Sequence, residues 1–446
     1  MAKMRISDME ESMGARFILP VMGENVLTIF IGMAFSSLIS SISSSALAAI
    51  GISNSVVTVL FAIFSVVTVG SSVLVSRMIG AGDSEGAADA IEQSIRLSVL
   101  MSLACTLLCE VLARPLLIVF MPSAEEGMVG EAARYFRVLM ISMPTYVLHG
   151  ALSAISRAAG DSKSPLRVAI LMNVLQILFG FLLIRGFHWE EIGAGLAYVL
   201  CRLFGAGMML WAMLKNQRYY SLNLKRALKP NRQTEKRIMF IGFPCTMESI
   251  FVQVGYLLAS SMSIKLGAFE AGIYQILCTV NTFISLPQGI GSTVALTAVG
   301  HLLGAKRVSD ARRAGRVIWG AGIAATLILG FLAWALGKPL CGLYSADAET
   351  VRQSANLLWL LIIMDIAGET CNAIDPQLRA GGDVRFVMLD ATTGVWLVRL
   401  PLTYLFCFVL DFGVLGLFLA NTAALYYRAG LSLLRLRGDK WYSKKV

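Results

Sequence analysis

Twelve apolar stretches alternate with short polar segments along the chain, at approximate positions 17–42, 47–73, 92–120, 132–156, 166–184, 192–214, 238–263, 270–298, 314–337, 353–378, 384–407 and 412–433. A helix needs about 20 residues to cross a hydrocarbon core of about 30 Å, and each stretch is of that order. Turn residues separate them, among them Gly82-Asp83, Gly160-Asp161, Gly267, Gly304, Gly381 to Asp383 and Asp411 to Gly413. Buried central helices of a large soluble protein would account for one or two such runs, not for a dozen. The pattern predicts an all-α membrane protein with twelve transmembrane helices.

The two halves echo each other. Pro20 and Glu24 precede Pro244 and Glu248 by 224 positions, and Gly80-Ala81 precedes Gly304-Ala305 by the same offset. Arg157 to Asp161 match Arg379 to Asp383 at 222, and Gly193 matches Gly413 at 220. Six spans is an even number, so both halves enter the membrane from the same side and are related by an axis along its normal. The expected layout is two pseudo-symmetric six-helix lobes, 1–214 and 238–434, joined by a basic linker at 215–237 and followed by a basic tail at 435–446. Two matched lobes around a cleft can open it alternately to either side. A receptor or scaffold has no need of them and would present an occluded, well-packed interface instead.

Composition sharpens the picture. Charged residues make up 15% of the chain and hydrophobic ones 57%, against roughly 25% charged in a soluble domain. The net charge of +10 would suit a nucleic-acid partner if it formed a patch, but it does not. Of the 38 Lys and Arg, 28 fall in segments that the spans place on one side, seven on the other, and Arg202, Arg399 and Arg428 lie within spans. That asymmetry predicts both termini and the linker in the cytoplasm, with the linker's charge held against anionic membrane lipid. The eight cysteines form no CxxC pair and read as small buried hydrophobes. The first apolar run is too long for a signal peptide's core and reads as a mature helix. No phosphate-binding loop, cofactor motif or metal constellation is present, so neither an enzyme nor a cofactor is expected.

Ionisable groups inside spans are costly and usually face a cavity or a partner. Glu24 and Glu248 form a symmetric pair, each one helical turn past a proline; the bland alternative is a hydrogen bond to backbone freed by that proline. The tenth span holds Asp365, Glu369, Asn372 and Asp375. The first three fall three or four apart on one helical face, where a carboxylate can exchange a proton or hold a transient Na+ at Asp365 and Glu369. A salt bridge to Arg399 in the next helix is the structural alternative. Arg202 is either a charge that locks a lobe or a side chain reaching toward water. His149 could titrate near neutral pH, although a lone histidine is more often a helix-packing residue; His188 and His301 lie at loops and form no metal constellation with it. The serines from Ser36 to Ser45 form either a polar cleft wall or a frayed helix end. Met22, Met33, Met143, Met172 and Met262 offer an adaptable lining for varied ligands, or simply lipid-facing and core packing.

Pro20, Ala46 to Ala49, Gly80 to Gly82, Arg157 to Asp161 with Lys163 and Pro165, Asn173, Gly242 to Pro244, Pro287 to Gly291 and Arg379 to Asp383 together resemble the multidrug and toxic compound extrusion family. The likeness extends to its wider multidrug, oligosaccharidyl-lipid and polysaccharide exporter superfamily and covers nearly all of 1–435. It implies twelve helices in two lobes and a monomer in the inner membrane of a prokaryote. It also implies efflux of small amphiphilic, cationic compounds by alternating access, driven by inward H+ or Na+. Related exporters use an acidic residue of the tenth helix for coupling, and Glu369 lies nearest its position; Asn173 matches an asparagine of the fifth helix. Two positions depart from the family, since Ala34 and Gly180 stand where members commonly carry aspartate. The alternative within the superfamily, a flippase for a lipid-linked or polar lipid substrate, predicts a basic lining where the exporter predicts an acidic one.

Overall fold

A computed structural model describes residues 20–24, 57–58, 60–120, 126–187, 189–216, 220–345, 347–439 and 441–442. Most of the first two spans, with Met33, Ala34, Ser36 to Ser45 and Ala46 to Ala49, lies outside the described residues, as does His188. Among the described residues the structure is helical throughout, without strands. Residues 20–24 are helical. Then follow α1 (Ser65–Ala81), α2 (Ser84–Phe120), α3 (Glu126–Ile141), α4 (Met143–Ala158), α5 (Lys163–Gly180), α6 (Glu190–Lys215), the short α7 (Leu224–Ala227) and α8 (Arg232–Lys265). They continue as α9 (Ala268–Ile284), α10 (Leu286–Gly304), α11 (Val308–Ala335), α12 (Gly337–Gly342), α13 (Ala348–Ala380), α14 (Val384–Thr393), α15 (Leu400–Tyr404) and α16 (Gly413–Arg437). Among the described residues, eight helices are long and apolar enough to cross a membrane, and two bent pairs bring the number to ten. The 25-residue α16 is made less apolar by Asn421, Tyr426, Tyr427 and Arg428.

The bent pairs have a chemical cause. α3 meets α4 at 49° and α9 meets α10 at 43°, in each case with a proline, Pro144 or Pro287, in the first turn of the second helix. Proline lacks the N–H that would continue the ladder and crowds the preceding turn. The expected spans 132–156 and 270–298 are therefore each two helices.

The chain divides into two compact units, residues 1–246 and 247–446. In the first, α6 packs against α3, α4 and α5, and α2 against α1, α3 and α4. Its core gathers Phe64, Leu117, Phe136, Met140 and Met143, all nearly or fully buried. In the second, α13 is the central post, contacting α9, α10, α11 and α16, and most of it is buried. Leu358, Leu361, Met364 and Phe418 anchor that core.

Several matched positions adopt matched geometry. Gly160 and Gly382 both have φ of +88°, while Gly82 at +77° is answered by Lys306 at +59°. Glycine enters this left-handed region at no steric cost, which is why it closes both Arg-to-Asp turns. Helix α5 ends in a π-turn at Phe181–Gly186, and α15 ends in one at Leu405–Val409. The second unit has an additional π-turn, Gly394–Arg399, for which the regular helix Lys163–Gly180 offers no counterpart.

After α16 the chain folds back on its own unit. Trp441 is fully buried, with its ring and carbonyl against Gly381 in the turn between α13 and α14. Arg312 of α11 bonds Asp439 and stacks over the Tyr442 ring at 5.4 Å.

Candidate functional site

Each unit holds its first-helix glutamate with the arginine of its Arg-to-Asp turn. Arg157 Nη1 donates to Glu24 Oε1 and Oε2 at 2.9 and 3.1 Å. Arg379 Nη2 donates to both oxygens of Glu248 at 2.7 Å. The turn aspartates are tied in parallel to the end of the unit's last helix. Asp161 accepts from Asn216 Nδ2 at 2.9 Å, and Asp383 from Arg435 Nε at 2.6 Å. The two glutamates are thus a symmetric pair, each with a guanidinium as a partner.

Beyond this shared clamp the units diverge. In the second, Arg428 Nη2 donates to Asp375 Oδ2 at 2.9 Å and lies 3.8 Å from Glu248 Oε1, while its Nε is 3.4 Å from Asp390 Oδ2. Ser432 Oγ donates to Asp375 Oδ1 at 2.8 Å. Three carboxylates and two guanidiniums therefore form one buried network linking α8, α13, α14 and α16. Gly394 makes room for it: a Cβ there would lie 2.6 Å from Arg428 Cγ. Asp390 carries no signal of its own in the sequence, whereas Arg428, one helical turn before Ser432 in an apolar helix, does.

The network forms one end of a cavity of about 320 Å³ inside the second unit, lined by residues of α8, α9, α10, α13 and α16 together with Arg399. Asp365, only 3% exposed, lines it. Asn281 Nδ2 donates to Asp365 Oδ2 at 2.7 Å and Gln288 Nε2 to Oδ1 at 2.8 Å. Gln288 Oε1 in turn accepts from Asn372 Nδ2 at 3.1 Å. Among the described residues, Asp365 is therefore held by neutral amides alone. Gln288, part of the motif Pro287 to Gly291, is the bridge between Asp365 and Asn372.

Glu369 departs from expectation. It is fully buried but does not line the cavity. Its carboxylate sits against Gly322 of α11, whose missing side chain leaves the room it occupies, with the Thr326 hydroxyl beside it. Asp365 thus faces the cavity, while Glu369 fills the gap at Gly322. The bridge from these acids to Arg399 is absent among the described residues. Arg399 lies over the Tyr256 ring at 4.5 Å instead.

The other first-unit candidates, His149, Arg202 and Asn173, do not converge on a carboxylate among the described residues. His149 contacts Ser153 Oγ at 3.4 Å, as a packing histidine does. Arg202 is held between the Tyr146 and Tyr198 rings, 4.8 Å from each, and Asn173 is half-buried on α5. No three metal-ligating side chains come together among the described residues.

The family model MatE matches the chain twice, over residues 20–182 and 244–405. The chain belongs to the MATE family. The two matched segments begin at Pro20 and Pro244, the residues that open the internal repeat. Among relatives, the probable multidrug resistance protein NorM of Thermotoga maritima is 25% identical and covers 97% of this chain and 93% of its own length. An uncharacterized transporter, YisQ of Bacillus subtilis, is 26% identical over 95% and 94%. Solved structures agree on the fold. An outward-facing multidrug resistance MATE transporter of the MOP superfamily superposes with a TM-score of 0.87 at 19% identity, covering 96% and 95%. A Vibrio cholerae MATE transporter, VcmN, gives 0.87 at 19% over 98% and 99%. This MATE protein is accordingly a multi-pass membrane transporter and not an enzyme, with the family's all-α fold of twelve transmembrane helices in two six-helix lobes and small molecules as its cargo.

Proposed function

We propose that this MATE protein is a secondary active exporter of amphiphilic, cationic organic compounds, working by alternating access between its lobes and driven by an inward H+ or Na+ gradient. It acts as a monomer in the cytoplasmic membrane of a prokaryote, with both termini in the cytoplasm, an orientation supported by the one-sided distribution of Lys and Arg. The functional division follows the repeat, 1–214 and 238–434, with the basic segment 215–237 as linker.

Asp365 carries this reading. Its carboxylate faces a buried cavity, and its hydrogen-bond donors are two uncharged amides. An ionised carboxylate placed so is attracted to any cation that enters, whether a proton, Na+ or an organic ammonium. Competition between a coupling ion and a cationic substrate for one carboxylate is sufficient for exchange. Glu248 and Asp375 contribute at the network end, Asn372 positions Gln288, and Glu369 serves as a second proton carrier outside the cavity. In the first unit, Ala34 and Gly180 replace the family's acids, which leaves coupling to the second.

The test is flux of a fluorescent organic cation in sealed proteoliposomes, with H+ and Na+ gradients imposed separately. Asp365→Asn is expected to abolish driven flux while the protein keeps its thermal midpoint, and Glu369→Gln to lower it only under the proton gradient. Undiminished driven flux in Asp365→Asn removes that residue from coupling. Absence of flux under both gradients defeats the exporter reading itself.

A further inference from the structure

Six ionic side chains line the cavity: Glu248, Asp365, Asp375, Arg379, Arg399 and Arg428. Four are mutually satisfied, Arg379 with Glu248 and Arg428 with Asp375. The remaining two, Asp365 and Arg399, carry opposite charges and make no ion pair with each other or with any other described residue.

Arg399 is only 5% exposed, and its buried Nε has no hydrogen-bond partner. The Tyr256 face beneath it stabilises positive charge but leaves the Nε–H donor unused. A buried donor without an acceptor is costly, and this one belongs to a residue that lines the cavity. Its backbone setting is equally particular. Arg399 closes the π-turn Gly394–Arg399, which has no counterpart in the matching helix Lys163–Gly180 of the first unit, and such a turn re-aims the side chains around it and recurs at functional sites.

We propose that Arg399 reads an anionic group of the cargo, so that the cavity selects zwitterionic amphiphiles bearing a carboxylate as well as an ammonium, with Asp365 reading the cationic end. A guanidinium fork matches a carboxylate in geometry and charge. Roughly 150 Å³ holds one benzene ring, so 320 Å³ has room for a single ring carrying two headgroups. This inference rests on the exporter reading and narrows its substrate class.

The experiment is calorimetric titration of the purified full-length protein with three probes on one aromatic scaffold, bearing a quaternary ammonium, a carboxylate, or both. The doubly charged probe is expected to bind about tenfold more tightly than the ammonium probe, as one charge-assisted pair would give. Arg399→Gln should erase that advantage while leaving the ammonium probe's Kd within about twofold, and Arg399→Lys should restore part of it. Asp365→Asn should weaken the ammonium and doubly charged probes and spare the carboxylate probe. If Arg399→Gln keeps the advantage, or weakens all three probes equally, Arg399 is structural and the proposal fails while the exporter reading stands. If no probe binds the wild-type protein, both fail.

Discussion

Replacing Arg428 with Gln tests whether the buried network is held by charge balance. With all groups ionised, Glu248, Asp375 and Asp390 set three negative charges against Arg379 and Arg428, a net of about −1; without Arg428 the net becomes −2 and Asp390 keeps no cation among the described residues. Arg428 is 12% exposed and Asp390 fully buried at the side chain, so solvent screens little of the change. Removing one partner of a buried pair costs about 3–5 kcal/mol, because the remaining charge stays desolvated. At about 2–4 °C per kcal/mol for units of this size, the midpoint should fall by about 6–20 °C. The assay is thermal unfolding of the detergent-solubilised protein followed by intrinsic tryptophan fluorescence. Asp390→Asn added to Arg428→Gln should recover part of the loss, since it removes the charge left most isolated. A single variant within about 2 °C of wild type, or a double variant no better than the single, refutes the charge-balance argument.

Two further outcomes follow from local geometry. Gly394→Ala drives a methyl group into Arg428 and should cost about 1–3 kcal/mol by overpacking, whereas Gly430→Ala, with open space around it, should be neutral or slightly stabilising; equal midpoints for the two variants contradict the packing described. At the start of α13, Asp347 accepts hydrogen bonds from the Thr350 hydroxyl and N–H, which hold its carboxyl below the usual range. Because the folded value is depressed, its contribution is complete above the unfolded value of about 3.9 and fades as pH falls through the folded one. Asp347→Ala should therefore unfold at a lower temperature than wild type at pH 6, with the gap closing below about pH 4; a gap unchanged by acid denies the cap its charge.

The membrane-crossing pattern was legible because hydrocarbon thickness dictates a run length that few other settings require. The repeat was legible for the same residues that later proved paired, yet the pairing itself was not. Glu248 and Arg379 stand 131 positions apart, and a constant offset says which residues correspond between halves, not which ones touch within a half. Spacing along α13 placed Asp365, Glu369 and Asn372 on one broad face, but three helices share that face. Asp365 and Asn372 met Gln288 of α10, while Glu369 found the gap at Gly322 of α11. The additional π-turn was invisible because it depends on which carbonyl an N–H selects, a decision that packing makes late. The breaks beside Pro144 and Pro287 were the opposite case: the prolines were in view, and only the length of the apolar run argued for treating each as one helix. Arg428 escaped because its acids come from three different helices.

The buried Trp441 bears on how the molecule can be handled at the bench. A reporter, purification handle or surface anchor joined just downstream of that indole would be tethered to the α13–α14 turn, next to the Arg379 clamp, and would not trail freely in solvent. Signals from such a fusion would follow the second unit's own movements.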